Sequence, residues 1–212
     1  MAEQISLKDL EKSVFRSSIQ DGIIDIQIGS YLLIFAIAPL LSIYLGDFWS
    51  SMVFLPFWGA IFLILRTVRK KMIQPRIGVI EYGSYRKKKL TRLNIVILVF
   101  NVAALVLGIL SFFQFAKLPD WIISLRLSII LLVGFSLAGY MLEFTRLYIY
   151  GILIAAAPLV GEYLYQNHGF SHHGFPVTFG VLAALMSITG IIIIIRILNT
   201  YPLPNEELPN ER

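Results

Sequence analysis

The sequence contains no cysteine, and few of its residues are charged. The absence of cysteine excludes disulfide bonds, thiolate metal sites, a catalytic thiol and any lipid anchor attached through cysteine. Charged residues make up 15% of the chain and hydrophobic residues 57%, whereas soluble domains carry about 25% charged residues. A soluble fold cannot hide this much apolar surface, so the composition predicts an integral membrane protein.

The sequence also lacks the short motifs that identify many enzymes. It has no His-Glu-x-x-His, no Gly-x-Ser-x-Gly, no phosphate-binding glycine loop with its lysine, and no Asp-rich pair of the prenyl-transfer type. We therefore assign no catalytic residue and expect no cofactor. A non-enzymatic protein is favoured over an enzyme.

Six apolar stretches are each long enough to cross a bilayer as a helix, because about 20 apolar residues span the ~30 Å hydrocarbon core. They predict an all-α transmembrane bundle that forms a single membrane domain over residues 1–212, with spans near 22–45, 48–68, 93–115, 121–145, 146–166 and 176–198. Two joins, between the first and second spans and between the fourth and fifth, are very short. Each of these pairs is therefore predicted to be a tight antiparallel hairpin.

The basic residues predict the orientation, since Lys and Arg accumulate in cytoplasmic loops. All of the 18 Lys and Arg residues except Lys117 and Arg126 fall on one side of the six-span layout. This asymmetry predicts a cell-membrane protein with the N-terminus and the tail 199–212 in the cytoplasm. Anionic membrane lipids are the expected partners. A second copy or a partner membrane subunit is the alternative, and nucleic acid is not expected.

Two segments outside the spans are predicted to be structured. Within residues 1–21, the pattern from Ser6 to Ile19 predicts an amphipathic helix lying in the cytoplasmic interface. The basic cytoplasmic loop 69–92 contains a β-prone stretch that turns at Gly83-Ser84 and predicts a small hairpin.

Basic residues flank the β-prone stretch, and each is worth about 1 kcal/mol against an anionic leaflet. Lipid headgroups or a cytosolic partner are expected to contact Arg69, Lys70, Lys71, Arg76, Arg86, Lys87, Lys88 and Lys89. The alternative is that these charges only orient the neighbouring spans.

Ionisable residues within a span are functional hypotheses, since a charge at the bilayer centre costs about 2.5–3.5 kcal/mol or more. Asp21 and Asp25 share one face at the cytoplasmic end of the first span. They predict either an interfacial ion pair with the basic loop or a cation or proton site. Arg126 and Glu162 lie at similar depths from the outer side, which predicts a buried pair. That pair either specifies packing or floors an outward cavity for an anionic ligand.

The three histidines, His168, His172 and His173, lie in one outer loop within reach of Glu162. Imidazoles together with a carboxylate can bind zinc, but their spacing matches no closed metal motif. An ordinary polar loop is therefore favoured over a metal site.

Two stretches carry a resemblance to known proteins. They are Pro75-Arg76-Ile77-Gly78-Val79-Ile80-Glu81-Tyr82 in the basic loop and Asn199-Thr200-Tyr201-Pro202-Leu203-Pro204 after the last span. With them the chain resembles a group of small uncharacterised six-span prokaryotic membrane proteins. The resemblance covers most of the chain at the level of span layout and implies no activity and no functional residues.

Three hypotheses of function remain open. The leading one is a non-enzymatic protein that binds or moves a solute or lipid, or is the membrane subunit of a larger assembly. The second is a membrane enzyme that acts on lipid headgroups at the cytoplasmic face through Asp21, Asp25 and Glu81. The third is a regulatory or assembly factor whose basic loop docks a cytosolic partner. A cavity reached by Arg126 favours transport, and an inner groove lined by Asp25 favours lipid chemistry.

Overall fold

The computed structural model describes residues 20–77 and 119–201, together with the single positions 91, 94, 95, 98, 99, 102 and 106. In this part of the chain the secondary structure is helical, without strands. The long helices are α1 (Ile23–Met52), α2 (Phe54–Val68), α3 (Asp120–Leu142), α4 (Thr145–His168) and α5 (Phe175–Thr200). A π-helical turn (Arg69–Ile73) and a short α-helical turn (Gln74–Ile77) continue α2, and a 3-10 turn (His172–Gly174) precedes α5.

Five described stretches are long and apolar enough to cross a membrane. They are Ile23–Gly46, Phe48–Arg76, Trp121–Leu142, Thr145–His168 and His172–Thr200. They coincide with five of the six predicted spans and fit an integral membrane protein. The remaining span, 93–115, lies mostly outside the described residues, as do the amphipathic helix, residues 78–90 of the basic loop and the tail from residue 202. These four stay predictions.

The first two spans form an antiparallel hairpin that turns at Gly46, as the short join predicted. Gly46 has φ 74° and ψ 163°, a conformation that is essentially restricted to glycine. Beyond this turn the chain runs back along itself. The indole N–H of Trp58 donates to the Ser30 carbonyl at 3.2 Å, and the Trp58 ring packs edge to face on Tyr31.

The second span continues further than the sequence predicted. Residues 69–77, expected to begin the basic loop, are helical, so the part of the predicted hairpin at residues 75–77 is wrong. The helix persists because its apolar face persists: Ile73 is buried and packs with Ile23 and α5. A π turn holds more residues per turn than an α-helix, which keeps Arg69 and Ile73 on the face that meets α1 and α5.

The second hairpin joins α3 to α4 through Glu143 and Phe144, close to the predicted join. Small residues let the two helices approach closely. A Cβ added to Gly151 would lie 2.8 Å from the Cβ of Phe135, and one added to Gly139 would lie 3.2 Å from the Tyr148 ring. The two helices are therefore in close contact along their length.

Helices α1 and α5 also pack tightly, in antiparallel orientation. A Cβ added to Gly22 would lie 2.5 Å from the Gly190 carbonyl oxygen. Further along, a Cβ on Gly29 would lie 2.8 Å from the Ala183 carbonyl oxygen. At Gly22 and Gly190 the two backbones touch without an intervening side chain, which is how membrane helices gain van der Waals contact.

The described helices form two groups. The first helix group contains α1, α2 and α5, and the second helix group contains α3 and α4. Helix α4 is central, since half of its most apolar stretch is buried, against 28% or less in the other four spans. The core between the groups includes Leu32, Phe144, Ile154, Phe179 and Met186.

The side chains that form the candidate sites lie at the two ends of this bundle. The charged end contains the start of α1, the end of α2, the α3–α4 join and the end of α5. The opposite end contains the Gly46 turn and residues 168–175. Helix α2 ends at the charged end and α3 begins at the opposite end.

Candidate functional site

Asp21 forms the first ion pair of the charged end. Its carboxylate is 2% exposed, lies 3.1 Å from Arg69 Nη2, and accepts a hydrogen bond from the Ile23 amide at 3.1 Å. Burial raises the pKa of the Asp21 carboxyl above its usual range, and the Arg69 guanidinium opposes this rise. The predicted pairing of Asp21 with a residue of the basic segment is thus present, and it joins α1 to the end of α2.

Asp25 forms a second, deeper contact with a different helix. Its side chain is fully buried, and Tyr150 of α4 donates a 2.5 Å hydrogen bond to Oδ1. Oδ2 lies 3.1 Å from Arg146 Nη1, without the alignment of a hydrogen bond. Arg146 also donates to the Gln20 carbonyl at 3.1 Å and stacks 4.8 Å over the Phe144 ring.

Arg76 fastens the end of α2 to the end of α5. Its Nη1 donates to the carbonyl oxygens of Leu198 and Tyr201, both at 2.8 Å. Because the last carbonyls of a helix have no partner within the helix, this guanidinium caps α5 and complements the negative end of its dipole.

The predicted pair between Arg126 and Glu162 is wrong. Arg126 is exposed, while Glu162 is 4% exposed and is bound by Gln166 Nε2 at 2.7 Å and His173 Nδ1 at 2.9 Å. The reason is angular: Arg126 lies nine residues before Phe135, about two and a half turns, and so on the face of α3 opposite to the one that contacts α4. The two residues therefore lie at similar depths in the membrane, but the Arg126 side chain is on a face of α3 that does not meet α4.

The turn before α5 is strained and close to α4. His172, His173 and Gly174 all have left-handed backbones, with φ of 53°, 54° and 64°, and for a residue other than glycine this costs on the order of 1–3 kcal/mol. A Cβ on Gly174 would lie 2.5 Å from the Gly161 carbonyl oxygen. The bond between Glu162 and His173, with this backbone contact, holds the turn in place.

Of the three loop histidines, His173 contacts Glu162. Within residues 119–201, which include all three histidines, no group of three or more His, Asp or Glu side chains is arranged to hold a metal ion. The His173 ring instead packs 4.6 Å from Tyr165, and the His168 ring lies 5.9 Å from Tyr163.

A pocket of about 420 Å³ opens at the opposite end, between the first hairpin and the strained turn. Its deeper wall is apolar and contains Ile34, Phe35 and Ala38, whereas polar side chains lie toward the membrane surface. Among the described residues, the lining consists of Ile34, Phe35, Ala38, Pro39, Ser42, Ser50, Ser51, His172 and Phe175. This volume lies within the 300–1,000 Å³ of small-molecule sites.

The basic residues divide into two sets. Arg69 and Arg76 are half-buried and bound within the protein, whereas Lys70 and Lys71 are exposed. Arg86, Lys87, Lys88, Lys89 and Glu81 lie outside the described residues. A role for the exposed lysines with lipid headgroups or a partner stays a prediction.

Sequence reasoning missed Arg146 and Tyr150 as the partners of Asp25, and it missed the three serines of the pocket. A signal existed for the first two, because both lie in the first turns of α4 at the same membrane depth as Asp25. No comparable signal existed for the serines, since single serines near a turn are common and only the hairpin geometry brings them together.

The fold and these sites define a class: an integral membrane helical bundle that is tied by ion pairs at one end and carries a partly polar pocket at the other. No protein-family model, no curated protein and no solved structure matches the chain.

Proposed function

We propose that this protein is non-enzymatic and binds an amphipathic molecule, a lipid or a lipid-like solute, in the pocket at the opposite end. The observation that carries the proposal is the distribution of polarity in the pocket. Apolar side chains line its depth and Ser42, Ser50, Ser51 and His172 line its mouth. An amphipathic ligand matches this order, with its apolar body toward the bilayer centre and its polar group at the surface.

The enzyme hypothesis finds less support in the geometry. Asp21 and Asp25 are both buried and each lies 3.1 Å from an arginine, so neither carboxylate is presented to a headgroup. A general acid or base must come within hydrogen-bond reach of its substrate. If a cytosolic partner docks at the charged end, the exposed Lys70 and Lys71 are the candidate contact residues.

The proposal includes the orientation of the protein in the membrane. By the positive-inside rule, the charged end, with Arg66, Arg69, Lys70, Lys71 and Arg76, faces the cytoplasm of a cell that carries the protein in its plasma membrane. The pocket then opens to the outside. Anionic lipids of the cytoplasmic leaflet are the proposed partners of the exposed lysines.

Native mass spectrometry of the protein, released gently from its membrane, tests the proposal. The wild type is expected to retain a bound small molecule or lipid. Ala38→Trp fills the pocket and is expected to reduce the bound fraction at least about tenfold, a loss of about 1.4 kcal/mol. The control is Ile192→Trp, which places a tryptophan at an exposed position of α5.

Equal retention by Ala38→Trp and the wild type would show that the ligand binds elsewhere and would refute the pocket assignment. Loss in both tryptophan variants would point to general instability, which size-exclusion chromatography of the same samples detects.

A further inference from the structure

Among the described residues, polar contacts connect the two helix groups at each end of α4, and one of them is the hydrogen bond from Arg146 to the Gln20 carbonyl. At the charged end, Asp25 of α1 contacts Arg146 and Tyr150 of α4. At the opposite end, Glu162 of α4 contacts His173, which precedes α5. Tyr150 and Glu162 are twelve residues apart along α4, a distance of about 18 Å at 1.5 Å per residue, and about a third of a turn apart around its axis.

The interface between these two contacts is apolar. Ile154 of α4 is fully buried there, as are Phe179 and Met186 of α5. Pro158, midway along α4, has no N–H to donate and so removes one helical hydrogen bond. Apolar surfaces slide more readily than hydrogen-bonded ones, because no directional bond has to break.

Packing is closest in two helix pairs, α1 with α5 and α3 with α4. Backbone contacts at Gly22 and Gly190 hold α1 to α5, and Gly151 fits against Phe135 between α3 and α4. We expect each of these two pairs to move as a unit. Two closely packed helix pairs that meet through an apolar interface, with polar contacts at each end, have an arrangement in which one part can rock against the other.

We propose that the second helix group rocks against the first, and that the two polar contacts act as latches that open in turn. The charged-end latch is Asp25 with Arg146 and Tyr150, and the opposite-end latch is Glu162 with His173. Because His172 lines the pocket and adjoins His173, opening of the second latch changes the pocket. The protein is then a carrier that moves its ligand across the bilayer, an inference that rests on the proposed function for what is carried.

The chain offers a matched control for the charged-end latch. Asp21 and Asp25 are four residues apart, both are buried, and both lie 3.1 Å from an arginine. The Asp21 pair stays within the first helix group, whereas the Asp25 pair crosses between the groups. Asp25→Asn and Asp21→Asn remove similar charges, and they differ in whether they free the interface.

Amide hydrogen exchange of the full chain in lipid nanodiscs tests the proposal. In Asp25→Asn, exchange over residues 143–150 is expected to rise by roughly fivefold or more, while exchange over residues 169–175 falls, because opening one end closes the other more firmly. Asp21→Asn is expected to change neither segment. His173→Asn keeps a residue that tolerates a left-handed backbone but is too short to reach Glu162, and it is expected to give the reverse pattern.

Either of two results would overturn the rocking proposal: equal effects of the two aspartate variants, or loosening at 143–150 with no change at 169–175. If Asp25→Asn does not fold, Tyr150→Phe removes one hydrogen bond of the same latch and is expected to shift exchange in the same directions. The readout needs no ligand. If native mass spectrometry detects no retained ligand while the exchange pattern is as expected, the pocket is refuted and the latches are not. A retained ligand without that exchange pattern would leave a static binding protein.

Discussion

A methyl group at Gly190 is expected to force α1 and α5 apart. The added Cβ of Gly190→Ala would lie 2.5 Å from the Gly22 carbonyl oxygen, 2.6 Å from Ile26 Cγ1 and 2.9 Å from the Ile26 amide nitrogen. Favourable contacts between such atoms lie near 3.5–4.0 Å, so the helices must separate by about 1 Å, and a gap of that size forfeits a quarter to a half of each attractive contact.

Overpacking a close contact costs about 1–3 kcal/mol, and we expect the upper part of this range, about 2–3 kcal/mol, because two of the three atoms belong to the backbone. At about 2–4 °C per kcal/mol for a chain of this size, the melting temperature is expected to fall by roughly 4–12 °C. Tryptophan fluorescence during heating in mild detergent measures it, since Trp58 packs on α1.

The control for this substitution is Gly59→Ala, on α2, where an added Cβ meets no atom within 4 Å. Alanine is a better helix former than glycine by up to about 1 kcal/mol, so this variant is expected to melt at the wild-type temperature or slightly above it. Unchanged melting of Gly190→Ala, or an equal decrease in both variants, would refute the close α1–α5 contact.

Two further predictions concern the charged end. Burial raises the pKa of Asp21 in the folded state; the folded protein therefore holds this proton more tightly, and the contribution of Asp21 to stability is expected to fall as the pH rises from about 3.9 through the raised value. In melting curves recorded across this pH range, the melting temperature of the wild type is expected to decrease as the pH rises, and Asp21→Asn should remove that decrease. A decrease that persists in Asp21→Asn would come from another group. Arg76→Gln removes the charged donor to the last carbonyls of α5 and is expected to cost about 1.5–3 kcal/mol, with faster amide exchange at the end of that helix. Lys71→Gln, at an exposed position, is the control and should lie within about 0.5 kcal/mol of the wild type.

Hydropathy predicted most of the described fold, because burial in lipid depends on the average character of a stretch. Five spans and both tight hairpins follow from runs of apolar residues and from the shortness of two joins. The same averaging explains the error at the end of α2. Charges at residues 69–71 lower the mean hydropathy, although Ile73 still packs against the bundle and keeps the chain helical.

The candidate sites were predicted less completely, because contact between helices depends on rotation about each helix axis. Asp21, Asp25 and Glu162 were identified, since a carboxylate in a span always requires a partner. Their partners depend on which face each helix turns toward its neighbour. Arg126 lies at the predicted depth but on the face of α3 that points away from α4. Arg146, in the first turn of α4, contacts Asp25, whereas its charge in the sequence predicted only the orientation.

The apolar stretch of α4 between Tyr150 and Glu162 has an electrical consequence. An ion that entered from either end would meet Ile154, Phe179 and Met186, which offer no oxygen or nitrogen from their side chains to replace its water shell. Charge in such a region costs several kcal/mol or more. With both end contacts closed, the described interface between the helix groups is expected to resist the passage of ions.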